Sequence, residues 1–208
     1  MKNIQETEPA FEENSFALNL LKGNIGKAVV ETYLNYFRYE VYPFGYENHY
    51  VNVTRFVDRG PSEDTLSKVR AMPDLLVLDR EKGESTLVEV KTSGGKNPTQ
   101  YWMEKERFDS YRLHWPEALL AVYLIPSGKI FCSKVSDIHF YRIGRLQNRP
   151  KLGYYFDLHG FLQLPDVFDK FDRKKYDELG QEIQLILETF DIAGRNYDFF
   201  KLKEPARN

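Results

Sequence analysis

Hydrophobic positions near the start of the chain recur with the spacing of a helix. Ser15 is expected to cap a short helix that ends at Lys22, because Gly23 follows as a stop signal. Asn24 then begins a second predicted helix, and Glu31 lies beside its apolar stripe at the boundary between core and solvent. The stripe consists of Ile25, Ala28, Val29, Thr32, Tyr33 and Tyr36.

Short apolar runs predict strands in the next part of the chain. Residues 39–46 predict a strand that Pro43 restricts to an edge or bulged position. Residues 47–70 are polar without a clear pattern, and a loop of that length in a compact domain is usually functional or an insertion. Residues 75–78 and 86–92, joined by a turn, predict a β-hairpin.

Helix and strand patterns alternate after the hairpin. The Asn-Pro pair at 97–98 is a typical helix start, Gln100 completes a capping box, and this helix is predicted to reach His114. Residues 118–125 form an apolar run that is expected to be buried on both faces and to pair with 129–135.

Beyond residue 140 the pattern predicts only a helix over 172–190. The whole order predicts one α/β domain over 1–208, with a central mixed β-sheet flanked by helices and a C-terminal helical extension. We expect the core to span about 20–135 and an accessory segment to span about 140–208.

Composition narrows the class of protein. The chain has 208 residues, of which 42% are hydrophobic and 29% charged, so a disordered or fibrous protein is excluded. The sequence shows neither a leader pattern nor an apolar span, and we expect a soluble cytoplasmic protein without a membrane partner.

Cys132 is the only cysteine, which excludes an intrachain disulfide and a Cys-based zinc site. Its apolar neighbours predict a buried strand thiol.

The net charge of −2 does not by itself indicate a nucleic-acid-binding protein. Basic residues nevertheless cluster in two places, and each cluster fits either a solvated face or a track for phosphates. The first comprises Arg142, Arg145, Arg149 and Lys151, and the second comprises Lys170, Arg173, Lys174 and Lys175.

The hairpin carries the residues with the clearest chemistry. Side chains alternate along a strand, so Glu89 and Lys91 project to the same face. If the hairpin turn is centred between residues 81 and 82, Asp74 lies opposite Glu89 on that face. A register slip of one residue would send Asp74 to the other face.

Two carboxylates in an apolar sheet repel each other and are costly to bury, and a hard divalent cation relieves both costs. Ligands that are all oxygen favour Mg²⁺ or Mn²⁺ over zinc, and the backbone carbonyl of Val90 can supply a further oxygen. The alternative is an ordinary surface ion pair between Glu89 and Lys91 on a strand that faces solvent.

The sequence Met72-Pro73-Asp74, followed fifteen positions later by Glu89-Val90-Lys91, resembles the PD-(D/E)xK nuclease superfamily. The resemblance covers about 20–135 and implies a restriction-endonuclease-like core. It implies that Asp74 and Glu89 hold the metal and that Lys91 positions the attacking water or stabilises the charged phosphoryl transition state. The family often adds a Glu on the first helix.

Glu31 is the best match to that helical Glu, and Lys27 stands at an earlier helical position where an acid would otherwise be expected. Some family members also carry a Gln and a Tyr one turn apart on the helix after the Lys strand. Here Gln100 is present but Glu104 replaces the Tyr, so capping is the expected role of Gln100. Tyr101 and Trp102 are expected either to pack onto the sheet or to stack on bases.

The resemblance implies a Mg²⁺- or Mn²⁺-dependent endo- or exonuclease that hydrolyses phosphodiester bonds in nucleic acid; an endonuclease that acts on DNA is the expected form. The alternative is a catalytically inactive module of the same fold that binds nucleic acid or a protein partner. A third hypothesis is an assembly protein in which residues 140–208 form a homodimer interface.

Overall fold

The computed structural model describes residues 10–45, 63–94, 99–145 and 151–189. The helices are α1 Ala10–Tyr36, α2 Glu63–Arg70, α3 Lys105–His114, α4 Leu164–Val167 and α5 Arg173–Thr189. The strands are β1 Glu40–Pro43, β2 Leu75–Asp79, β3 Glu84–Ser93, β4 Gln100–Glu104, β5 Leu119–Leu124, β6 Lys129–Lys134, β7 Phe140–Arg145, β8 Leu152–Asp157 and β9 Leu162–Gln163.

The central sheet has six strands in the order β1-β2-β3-β5-β6-β9, and a second sheet has the order β4-β8-β7. The β3–β5 pair is parallel, while the other described pairs of the central sheet are antiparallel. The sheet is mixed because the chain between β3 and β5 includes helix α3. This helical crossover brings the chain back to the end of the sheet where β3 began, so β5 runs parallel to β3. Helices flank this sheet, so the predicted α/β architecture with a central mixed sheet is confirmed.

Both faces of the central sheet are covered. Helices α1 and α5 pack on one face, where the buried side chains include Val30, Tyr33, Val88, Ala121 and Tyr176. Helix α3 and the second sheet cover the other face, where the buried side chains include Phe108, Leu120, Val122, Tyr154 and Phe156. All six residues of β5 are buried, as expected for a strand with apolar side chains on both faces.

The register of the β2–β3 hairpin agrees with the prediction. Leu75 pairs with Val88 and Asp79 pairs with Glu84, so the turn is centred between residues 81 and 82. Gly83 in this turn has a φ of 70°, which glycine adopts without strain. Extended by one residue, the same register places Asp74 opposite Glu89.

The predicted break of the first helix at Gly23 is wrong, because α1 continues from Ala10 to Tyr36 and Ser15 lies within it. A glycine inside a helix costs only about 1 kcal/mol relative to alanine. Burial of apolar side chains from the second half of α1 against the sheet, Val30 and Leu34 among them, outweighs that cost.

Gly26 allows α1 to approach β3 closely, and this contact can be tested. A Cβ atom at Gly26 would lie 1.9 Å from Thr92 Oγ1 and 3.2 Å from Thr92 Cβ, whereas a Cβ at Gly23 meets nothing within 4 Å. We therefore expect Gly26→Ala to lower the free energy of unfolding by about 1–3 kcal/mol, the usual cost of overpacking. Gly23→Ala, the control, is expected to raise it by about 0.5–1 kcal/mol. Urea unfolding measures both, and equal effects would contradict the close approach.

The helix predicted from Asn97 to His114 is wrong in its first half. Residues 100–104 form β4, which pairs with β8, and α3 begins only at Lys105. Strand pairing with a segment some fifty residues further along the chain overrides the local capping pattern. Gln100 is therefore a strand residue and caps no helix, while residues 97–98 lie outside the described residues.

Two other segments differ from the sequence pattern. The predicted strand over 39–46 is shorter, and Pro43 occupies an edge strand as expected. Part of the predicted loop over 47–70 is helix α2. This short helix is held against α3, where the Ser67 hydroxyl lies 3.3 Å from both Ser110 Oγ and His114 Nε2. Residues 46–62 lie outside the described residues.

The C-terminal part contributes strands as well as the predicted helix. Strands β7 and β8 build the second sheet with β4, and β9 extends the central sheet. Helix α5 confirms the helix predicted over 172–190 and buries Tyr176 and Leu187. Cys132 is buried on β6, and burial raises the pKa of its thiol, which confirms a strand thiol in the core. None of the helices in the described ranges is long and apolar enough to cross a membrane.

Candidate active site

Asp74 lies immediately before β2 and is held by three elements. The backbone amide of Val90 on β3 donates to Asp74 Oδ2 at 2.8 Å, and Lys27 Nζ on α1 lies 2.7 Å from Oδ1. The backbone carbonyl of Asp74 accepts from the amides of Phe44 and Gly45, at 2.8 and 3.2 Å. The carboxylate is thus fixed just before the start of β2, between the first helix and the neighbouring strand.

Glu89 is a buried carboxylate in the middle of the sheet, with an exposed fraction of 1%. Its Oε1 accepts hydrogen bonds from Lys91 Nζ and from the Tyr111 hydroxyl, and Arg107 Nη2 lies 3.8 Å away. Burial raises the pKa of Glu89, and the nearby positive charge of Lys91 partly offsets this effect. Burial also excludes the alternative of an ordinary ion pair on a solvent-facing strand.

Lys91 lies two residues further along β3, on the same face as Glu89. Its side chain is 15% exposed, and its Nζ contacts Glu89 Oε1 and lies 3.3 Å from the carbonyl oxygen of Val90. The same ammonium is 5.7 Å from the centre of the Tyr111 ring. Lys91 is therefore partly open to solvent while its charge stays beside the buried carboxylate.

Tyr111 and Arg107 on α3 belong to the site but do not follow from the sequence pattern. Arg107 Nε donates to the Tyr111 hydroxyl at 2.9 Å, and that hydroxyl donates in turn to Glu89. Burial and the Glu89 carboxylate raise the pKa of Tyr111, so its hydroxyl remains a hydrogen-bond donor. The available signal was a pair of polar residues four positions apart on the helix that follows the Lys strand.

Glu31 and Lys27 lie one helical turn apart on α1. Burial raises the pKa of Glu31, Lys27 lowers it, and Asp74 raises it again. Glu31 is thus within electrostatic reach of Asp74. Of the four side chains predicted for the site, Asp74, Glu89 and Lys91 lie together, and Glu31 lies on α1 within reach of the charges of Lys27 and Asp74.

Positive and negative charges are balanced in this part of the protein. The carboxylates of Glu31, Asp74 and Glu89 interact with the cations of Lys27, Lys91 and Arg107. Each of these three carboxylates, of which Glu89 is buried and the other two are half-buried, therefore has a cationic neighbour that offsets much of the cost of removing it from water.

The oxygen atoms of the site fit a hard divalent cation. Asp74, Glu89 and the carbonyl of Val90 are the ligand types that Mg²⁺ and Mn²⁺ prefer, and Mg²⁺ usually binds one or two carboxylates and completes its shell with water and phosphate. Within the described residues no three His, Cys, Asp or Glu side chains surround one point. The donor set thus suits an open site that shares its cation with a substrate, and it does not suit a closed protein cage.

Residues at the start of β4 pack near the site. Tyr101 lies close enough to Lys91 and Arg107 for their charges to act on its hydroxyl, although burial dominates and raises its pKa. The Trp102 ring packs directly on Gly153, and a Cβ atom at that glycine would lie only 2.3 Å from the ring. The Nε1 of Trp102 donates a hydrogen bond to the carbonyl oxygen of Gly144 at 3.2 Å. Both aromatic residues therefore pack onto the sheet, while Gln100 is exposed and lies outside the group of site residues.

The two basic clusters differ in their surroundings. In the second cluster Lys170 Nζ lies 2.7 Å from Asp79, and Arg173 pairs with Asp166. The Lys170–Asp79 pair joins the hairpin to the segment before α5, and the Arg173–Asp166 pair joins α5 to α4, which favours a structural role for these two residues. In the first cluster Arg142 is exposed and stacks 4.9 Å from the centre of the Tyr155 ring.

No family model and no curated protein matches the chain. Solved structures that resemble it include the following two. Hjc, a Holliday junction resolvase from the archaeal hyperthermophile Archaeoglobus fulgidus, is 12% identical, and the match covers 71% of this chain and 94% of the resolvase with a TM-score of 0.40. A nuclease from a fusselovirus is 13% identical, and the match covers 91% of this chain and 99% of the viral nuclease with a TM-score of 0.32. Both are nucleases, but at TM-scores this low the likeness decides neither the fold nor the activity of this chain.

Proposed function

We propose that this chain is a nuclease that uses Mg²⁺ or Mn²⁺ to hydrolyse phosphodiester bonds in DNA. The observation that carries the proposal is the buried carboxylate of Glu89 beside Asp74, with the Lys91 ammonium on the same face of the sheet. A protein rarely buries an ionised carboxylate without a functional or structural partner. Here the two acids can hold a divalent cation and the lysine can stabilise the negative charge that develops during phosphodiester hydrolysis.

Each residue of the site has a defined task in this proposal. Asp74, Glu89 and the Val90 carbonyl would hold the cation, which supplies an activated water and neutralises charge on the phosphate. Tyr111 fixes the Glu89 carboxylate through its hydroxyl, and Arg107 fixes Tyr111 in turn. Lys91 places a positive charge where negative charge develops during attack on phosphorus. Glu31 adds negative charge at the side of the site.

The direct test is a cleavage assay with purified protein and plasmid, linear duplex and single-stranded DNA. We expect cleavage with millimolar Mg²⁺ or Mn²⁺ and none with EDTA. Nicked or linearised plasmid would identify an endonuclease, because an exonuclease needs an end. Glu89→Gln protein, prepared in the same way, controls for contaminating nucleases. Equal cleavage by the variant, or cleavage in EDTA, would contradict the proposal.

An inactive binding module is the second candidate, and one observation favours it. Lys27, Lys91 and Arg107 already balance the site carboxylates, so the fold does not need a cation for charge neutrality. The two candidates differ in the cleavage assay and in metal binding. A module that binds DNA equally with and without divalent cations, and cuts none of the substrates, would support the second candidate.

A further inference from the structure

Lys27 is the cation nearest to Asp74 in the described part of the site. Its Nζ lies 2.7 Å from Asp74 Oδ1, and the side chains are 29% and 11% exposed. The other carboxylate oxygen, Oδ2, accepts from the amide of Val90. Because Oδ2 already accepts a hydrogen bond from the rigid backbone, Oδ1 is the oxygen more readily offered to a metal ion, and a metal ion that binds Oδ1 competes with Lys27.

The position of Lys27 is imposed by the packing of α1. Gly26 brings the helix so close to β3 that a Cβ atom there would overlap Thr92 Oγ1. The next residue along the helix is Lys27, whose side chain extends from α1 to Asp74 at the start of β2. An ammonium on a flexible four-carbon stem can move away from a carboxylate without any movement of the backbone. The packing of α1 thus places the Lys27 ammonium at Asp74, and rotation of the lysine side chain alone can break this contact.

We propose that Lys27 is a displaceable counter-ion of the metal site: it occupies Asp74 Oδ1 in the absence of metal and yields this oxygen to one divalent cation. The inference rests on the proposed function, because it assumes that Asp74 is a metal ligand. Lys27 then sets the metal concentration that the site needs, and its positive charge disfavours a second cation beside Asp74. Once displaced, the ammonium remains close enough to pair with Glu31 or with a phosphate oxygen.

Electrostatics gives the direction of the effect. The ammonium and a divalent cation compete for the same oxygen and repel each other at short range, so the charge of Lys27 weakens metal binding. A lysine that only stabilised the fold would not influence metal affinity in this direction. Removing the charge is therefore expected to strengthen binding of the cation, even though it removes an ion pair.

Mn²⁺ binding to the full chain, measured by calorimetry at low salt without DNA, tests the inference. We expect Lys27→Met and Lys27→Gln to lower the Kd for Mn²⁺ by about tenfold relative to wild type. Lys27→Arg keeps the charge and should retain a Kd near that of wild type. Lys22→Met, five residues earlier on the same helix, is the matched control and should also leave the Kd unchanged. Two neutral variants are included so that at least one folded protein is available, as checked by its melting temperature.

The outcomes separate the inference from the proposed function. Binding by wild type with an unchanged or raised Kd in both neutral variants would overturn the role of Lys27 and leave the nuclease proposal standing. Binding by the neutral variants alone would support the role of Lys27 in its strongest form. Absence of Mn²⁺ binding in wild type and in all Lys27 variants would overturn both. An equal gain in affinity in Lys22→Met would show a general charge effect and would also overturn the inference.

Discussion

Lys91→Ala is expected to reduce the single-turnover rate of DNA cleavage by about two orders of magnitude or more, the usual loss when a transition-state donor is removed. The Lys91 ammonium lies beside Glu89 and is partly exposed, so it can reach a phosphate held at the site. DNA binding should change little, because Arg107 remains, and metal binding should not weaken, because the variant removes a positive charge beside Glu89 and keeps both carboxylates. Lys91→Arg should not restore the rate, since a planar guanidinium does not fit the place of a compact ammonium.

Lys134→Ala is the matched control for this variant. Lys134 lies at the end of β6 and pairs with Glu117 at 3.0 Å, with both side chains largely exposed. Its removal should leave cleavage unchanged and cost about 1 kcal/mol of stability or less, as is usual for a surface ion pair. DNA binding can be measured with Ca²⁺ in place of Mg²⁺ to prevent turnover. An unchanged cleavage rate in Lys91→Ala would remove Lys91 from the site.

Glu89→Gln is expected to abolish cleavage and to stabilise the metal-free protein at neutral pH. Glutamine keeps the shape of the side chain and an oxygen that accepts from Tyr111 and Lys91, but it carries no charge to bind a cation. Burial raises the pKa of Glu89 above its ordinary value of 4.5. Ionising this carboxyl group in the folded protein is therefore less favourable than in the unfolded chain, which lowers stability where the group must be charged.

The sign of the pH dependence follows from this shift. Below pH 4.5 the carboxyl group of Glu89 is protonated in the folded and in the unfolded protein, and the folded state does not bear the cost of a buried negative charge. As the pH rises from 4.5 through the higher pKa of the folded state, the free energy of unfolding falls, because the unfolded chain loses this proton more readily than the folded protein does. In EDTA, the melting temperature of wild type should therefore fall relative to that of Glu89→Gln as the pH is raised above 4.5. Parallel curves would contradict a raised pKa at Glu89.

The central hairpin and the grouping of its charged residues could be predicted from local sequence. Apolar runs on both sides of a short turn determine which residues pair, and alternation along β3 then places Glu89 and Lys91 on one face. The same register brings Asp74 beside them. Strand β5 was equally predictable because all its side chains are apolar, and α5 follows from its apolar spacing.

Local patterns were misleading where distant partners compete with them. A helix-start pattern begins at residue 97, yet residues 100–104 form a strand, because they pair with β8 far along the chain. Gly23 has the properties of a helix stop, but α1 continues because its second half is buried against the sheet. In both cases the free energy of tertiary contacts exceeds a local preference of about 1 kcal/mol.

The sequence by itself determined the central hairpin and the two carboxylates and lysine that meet on it, because these depend on side-chain alternation over a few neighbouring residues. Only the tertiary structure decided what surrounds them. Tyr111 and Arg107 reach Glu89 from a helix that crosses the sheet, and Lys27 reaches Asp74 from another helix on the opposite side. Such contacts depend on how helices pack across a sheet, and no short-range pattern in the chain encodes that geometry.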